Sequence, residues 1–181
     1  MRRPNKAKLM GVPSHIEFQK DSERILRCTL LAVTPQEGCA LLIGESVELQ
    51  TEHKPNVFKL QLIWPCCNIW ISGFHDHVDT SLETKVQQPI KTSRENRFAL
   101  DPYEQLSAQK WARSKNLKVL GAAHSHKASP PIPSETDLSW NQSPNLMIIL
   151  NANTKEMRAW WVSHPKDSLP LRIPLICTDS K

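Results

Sequence analysis

The apolar run Val119-Leu120-Gly121-Ala122-Ala123, closed by His124-Ser125-His126, constrains this chain more than any other stretch. Residues Lys118 to His126 read as a strand, and side chains two positions apart in a strand share a face. Both imidazoles can therefore reach one metal ion. Seven residues separate His126 from Ser134, and two more separate Ser134 from Asp137. The intervening Lys127-Ala128-Ser129-Pro130-Pro131-Ile132-Pro133 is rich in proline, which favours a stiff, extended excursion over a helix. Such a loop can return Asp137 as a third ligand with a fourth position left to water. Two nitrogens, one carboxylate oxygen and an open position describe a catalytic zinc centre, not a structural one.

Each half of this pattern has an ordinary explanation. A bare His-x-His is common by chance, and Ser134-x-x-Asp137 is also a good helix cap with an acidic residue in the first turn. The two halves at their fixed spacing are more specific. They resemble the signature of the JAMM metalloproteases, the active branch of the MPN-domain family. Members of that family often carry proline directly after the second histidine, where this chain has Lys127. The position is not a ligand, so the difference bears on loop shape and local charge.

The resemblance implies an MPN (cytidine-deaminase-like) α/β fold, a mixed central sheet flanked by helices, over roughly Glu17 to Trp161. It also implies a glutamate at the start of a strand beside the metal, a few residues before an apolar pair and a glycine. In Glu37-Gly38-Cys39-Ala40-Leu41-Leu42-Ile43-Gly44, Glu37 fits that place, and Glu45 at the other end fits worse. On spacing alone Glu37 would be an exposed carboxylate at a strand end. The implied site is Zn2+ on His124, His126 and Asp137, with Glu37 as proton carrier and Ser134 as donor to the oxyanion. The implied reaction is hydrolysis of an amide or isopeptide, with a ubiquitin-like or sulfur-carrier tail as one substrate class. The chain resembles the stand-alone bacterial type, with no long insertion after Asp137. A non-catalytic MPN scaffold and a small-molecule amide hydrolase are the alternatives.

At 181 residues, one domain over 15–181 is expected, preceded by a basic, disordered tail over 1–14 that holds Arg2, Arg3, Lys6 and Lys8. The net charge of +5 comes partly from that tail, and no basic patch interleaved with aromatics argues for nucleic acid. No apolar run approaches the roughly 18 residues of a membrane span, and the first residues lack a hydrophobic signal core. Five cysteines without CxxC spacing read as free thiols of a reducing compartment, so a cytoplasmic location is expected with no membrane partner. Oligomeric state is not legible.

Along the chain, residues 15–19 suit a short strand, and Asp21-Ser22-Glu23 opens a largely buried helix over Ile25 to Val33 that ends near Thr34-Pro35. Residues 57–64 form a strand ended by Pro65. Asp101-Pro102-Tyr103-Glu104 opens a helix to about Lys115, with Trp111 and Leu106 among its buried residues. Residues 145–151 and 158–162 read as a strand pair, and 172–177 as a last strand. Between them, the segment from about Trp70 to Arg97 is expected to be a flap that holds a substrate tail. It contains His75, His77 and Asp79, a second possible metal cluster, better read as a polar loop.

Overall fold

The computed structural model describes residues 11–48, 56–71, 93–139, 145–163 and 169–178. The elements in chain order are β1 (Pro13–Gln19), α1 (Lys20–Leu31), β2 (Cys39–Glu48), β3 (Asn56–Cys66) and α2 (Pro102–Ser114). They continue with β4 (Lys118–His126), α3 (Glu135–Ser139), β5 (Asn145–Asn151), β6 (Met157–Val162), β7 (Leu171–Ile173) and β8 (Leu175–Thr178). All eight strands join one mixed sheet in the order β7-β6-β5-β4-β2-β3-β1-β8. The strand that ends in the two histidines therefore lies near the middle, antiparallel to β2 and parallel to β5.

The sheet is strongly curled. Phe58 on β3 and Trp161 on β6 meet edge to face with ring centroids 5.8 Å apart, although β2, β4 and β5 lie between their strands. At the rims, β7 pairs with β6 and β8 with β1, yet only Pro174 separates β7 from β8. The Pro174 carbonyl accepts from the Ile16 amide at 2.9 Å. Inside the curl, Leu26 and Leu30 of α1 are fully buried against Phe58, Leu42, Leu120 and Ile148. Alternation along β2 sends Leu41 and Ile43 to the other face, where Ala108 and Ala112 of α2 pack on them.

Several sequence expectations need correcting. β1 begins at Pro13, two residues ahead of the expected boundary, and residues 1–10 of the tail lie outside the described residues. The first helix starts at Lys20 after an N-cap Gln19 that makes no capping bond, so Asp21 is not the cap. It is half-exposed, not largely buried: Leu26 and Leu30 are buried and Leu31 packs partly on the core, whereas Ile25 and Val33 are exposed. β3 runs through Pro65 to Cys66. Proline is tolerated there because β1 covers β3 only from Asn56 to Leu60, leaving that flank of Pro65 without a partner among the described strands. On α2, Asp101 accepts from the Tyr103 amide at 2.7 Å as expected of a cap, but Leu106 is half-exposed. The small Ala108 and Ala112 form the buried stripe, and Leu106 points away from it. The single strand expected over 172–177 is two strands, broken at Pro174.

Candidate functional site

β4 presents His124 and His126 on one face, with their Nε2 atoms 3.0 Å apart. Cys39 of β2 lies across from His124, and Ile149 and Asn151 of β5 flank the two histidines. His124 is fully buried, and its ring stacks on Phe98 at 4.3 Å between centroids. Ser125 points the other way. It donates to the Leu30 carbonyl at the end of α1 and accepts from the Gly38 amide at 2.9 Å. A Cβ on Gly38 would stand 2.3 Å from the Leu30 carbonyl oxygen, so only glycine lets the entry to β2 come this close.

The proline-rich loop after β4 is held from below. The Asn151 amide donates to the carbonyls of Ala128 and Ser129, Trp160 Nε1 donates to Pro131 at 2.9 Å, and the Ala152 amide donates to His126. The loop ends at Ser134, which caps α3 in a reciprocal box. Ser134 Oγ and its amide both donate to Asp137 Oδ2, at 2.8 and 2.7 Å, and the Asp137 amide donates back to Ser134 Oγ at 3.2 Å. The helix-cap reading and the ligand reading are thus the same geometry: the cap aims the carboxylate. Asp137 Oδ1 lies 3.6 Å from His124 Nε2, and Oδ2 lies 3.6 Å from His126 Nε2.

These three side chains form the one group with metal-ligand geometry among the described residues. Donors about 2.0–2.1 Å from a tetrahedral zinc lie roughly 3.3 Å from one another, and the observed edges bracket that value. The tautomer fits as well. His126 Nδ1 faces the Pro130 carbonyl at 2.8 Å and must donate to it, so in the neutral ring Nε2 offers a lone pair. His124 Nδ1 is buried without a hydrogen-bond partner among the described residues. In the protein alone, burial lowers the His124 pKa. Burial also opposes charge on His126, but hydrogen bonds to Asp137 and Pro130 outweigh it and raise the pKa. Burial would raise Asp137, yet the two histidines hold it well below the usual carboxylate range. A metal would displace the proton shared in this cluster.

Glu37 lies two residues before β2 and is buried, with 7% of its surface exposed. Burial pushes its pKa up to about 7, and Asp137 adds to this while His126 and Arg97 act against it. It lines a cleft of about 500 Å³ together with His126, Ser134 and Asp137. Residues 95–98 line the same cleft and are held to Glu37 by main chain and by one side chain. The Glu37 amide donates to the Arg94 carbonyl at 2.7 Å. Asn68 Nδ2 donates to the carbonyls of Glu37 and Arg97, both at 3.0 Å, while its Oδ1 accepts from the Trp70 and Ala99 amides. Glu45 lines a separate cavity with Glu17 and Lys59. Lys127, in place of the proline, pairs with Glu95 across the cleft.

Sequence reasoning missed Asn68, Asn151, Arg97 and Phe98, since nothing local distinguishes them from other polar or aromatic residues. His75, His77, Asp79 and most of the expected flap lie outside the described residues. The flap's described ends meet at its base, where Arg94 Nε donates to the Trp70 carbonyl at 3.0 Å.

The fold and site together define a class. The profile of the family described as prokaryotic homologs of the JAB domain matches residues 20–163, and the chain belongs to that family. Its fold is the JAB/MPN fold. Over 67 residues the chain is 43% identical to a desampylase from Pyrococcus furiosus, an alignment covering 36% of this chain and 47% of the relative. The match thus spans about half of that relative's length. A solution structure of a protein from Desulfitobacterium hafniense superposes with a TM-score of 0.67 at 19% identity, covering 91% of this chain and 94% of the other. One from Salinibacter ruber gives 0.54 at 20% identity, with 90% and 91% covered. At these identities the likeness concerns the fold alone.

Proposed function

We propose that this protein is a zinc-dependent metalloprotease that hydrolyses an amide or isopeptide bond at the tail of a ubiquitin-like or sulfur-carrier protein. The observation that carries this reading is the convergence of His124, His126 and Asp137 at the foot of a cleft that Glu37 also lines. Membership in the JAB family supports hydrolysis, and similarity to a desampylase supports a protein conjugate as substrate. A scaffold would need none of these donors. The five free cysteines suit a reducing compartment, and we assign the protein to the cytoplasm. No helix among the described residues is long and apolar enough to cross a membrane.

His124, His126 and Asp137 would hold the zinc, which when bound would supply an acidified water, its pKa brought from about 15.7 to about 7, and polarise the scissile carbonyl. Glu37, which lines the same cleft, would take a proton from the attacking water as the water oxygen bonds to the carbonyl carbon. It then delivers that proton to the nitrogen, which leaves as an amine when the C–N bond breaks. In the metal-free protein burial pushes the Glu37 carboxyl up to about 7, and a divalent metal beside it would lower that value and favour the base form. Ser134 fixes Asp137 and, on turning its hydroxyl, donates to the developing oxyanion.

Incubating the zinc-loaded protein with fusions that extend a ubiquitin-like tail, followed by mass spectrometry, tests the reading. Cleavage after the tail that stops on chelation is the expected result, and intact fusions at saturating zinc would reject it. Ser134→Ala should lower zinc affinity about 10–100-fold by freeing Asp137. At saturating zinc it should also lower kcat about 10²–10³-fold. Normal kcat at saturating zinc would confine Ser134 to positioning.

A further inference from the structure

Among the described residues Arg97 forms no ion pair, although its charge is felt at the Glu37 carboxyl. It lines the cleft that Asp137 also lines, and among the described residues its guanidinium makes a single hydrogen bond, Nη1 to the Asn96 carbonyl at 2.7 Å. An arginine side chain carries five N–H donors, so four remain available. Of the three carboxylates that line the cleft with it, Glu37, Glu95 and Asp137, two are engaged elsewhere. Glu95 pairs with Lys127, and Asp137 faces the two histidines. Arg97 is also not a loosely tethered surface group. Its carbonyl and that of Glu37 accept from the same Asn68 nitrogen, each at 3.0 Å, so they lie at most twice that distance apart. The next residue, Phe98, is stacked on His124. One clamp therefore positions both the proton carrier and the cation.

This placement bears on which side of the scissile bond Arg97 serves. Glu37 must reach the leaving nitrogen to protonate it, so the wall that Arg97 shares with Glu37 faces the leaving group. A planar fork of free donors in a partly buried cleft fits a carboxylate by two parallel hydrogen bonds. We propose that Arg97 is a specificity-determining residue that binds a carboxylate of the leaving group, close to the scissile amide. The inference rests on the hydrolase reading above. The carboxylate is either the free α-carboxylate of a terminal residue or the side chain of an acidic residue next to the bond.

Three tail peptides separate these sources: one ending Gly-Gly-Ala with a free carboxylate, the same peptide as its carboxamide, and a carboxamide ending in Gly-Gly-Asp. The wild-type, zinc-loaded protein should prefer the free acid over the alanine carboxamide by about 10–100-fold in kcat/KM. A matching preference for the aspartate carboxamide would assign the side-chain source instead. In Arg97→Gln the preference should fall to near unity, and Arg97→Lys should restore part of it, with charge but no fork. Equal cleavage of all three peptides by the wild type would overturn the inference and leave the hydrolase reading standing. So would an unchanged preference in Arg97→Gln. If no peptide is cleaved, the hydrolase reading is at fault, and binding still decides the role of Arg97. N-acetylalanine should bind the wild type more tightly than N-acetylalaninamide by calorimetry, and Arg97→Gln should lose the difference. Equal binding of both probes to the wild type overturns the proposal.

Discussion

Glu37→Gln is expected to retain a full equivalent of zinc and to lose about 10²–10⁴-fold in kcat, since glutamine has the shape of the carboxyl but cannot take up or release a proton. Metal analysis beside a turnover assay checks both halves, and Glu45→Gln should change neither. Normal turnover in Glu37→Gln would place the proton carrier elsewhere. The same substitution should strengthen the metal-free fold. The Glu37 carboxyl titrates near its ordinary value of 4.5 in the unfolded chain and near 7 in the folded protein. Below pH 4.5 both forms are protonated and the site costs nothing. As pH rises toward 7 the unfolded chain ionises first, and stability falls. Above 7 the cost is complete at about 3 kcal/mol, from about 1.4 kcal/mol per pKa unit. Metal-free Glu37→Gln should therefore melt above the wild type at pH 8 and level with it at pH 4. A wild type that melts no lower than the variant at pH 8 would show that Glu37 is not a buried acid.

His124→Ala should reduce zinc from near one per chain to near none and bring hydrolysis to background. His124 is the deepest of the three donors, and its removal leaves a two-donor set. The loss should also appear without any substrate. A metal that binds only the folded chain raises its stability by about 4 kcal/mol at 1,000 times the dissociation constant. The wild type should accordingly melt higher with zinc added, and His124→Ala should melt at one temperature with or without it. Full zinc content in the variant would move the metal away from this strand, with His75 and His77 the next donors to substitute.

The histidine pair was legible because a strand's period of two is a local rule, and the strand was read at its observed bounds, Lys118–His126. Asp137 was reachable through spacing, since the loop that returns it is short and stiff. Glu37 was reachable only by resemblance. It is far from His124 in sequence, and the pairing that joins them, Cys39 opposite His124, is a matter of tertiary register. Asn68, Asn151 and Arg97 were illegible for the same reason, because each acts on backbone or space contributed by a distant segment. Leu106 and Ile25 were misjudged because hydrophobicity does not say which side of a helix will find a partner. On α2 the close approach to the sheet selected alanines instead.

The single residue between β7 and β8 has a consequence for assembly. One short stretch of chain finishes both rims of the sheet, so the outermost strands on either side are only three and four residues long. Strands so short are poor templates for a neighbouring molecule. Ending the chain at residue 170 would strip both rims in one cut, baring six-residue β6 and seven-residue β1 together. Copies of the shortened protein should then zip together through these exposed ladders, seen as growing particle size in light scattering. The last strands of the sheet thus act as a seal against self-association.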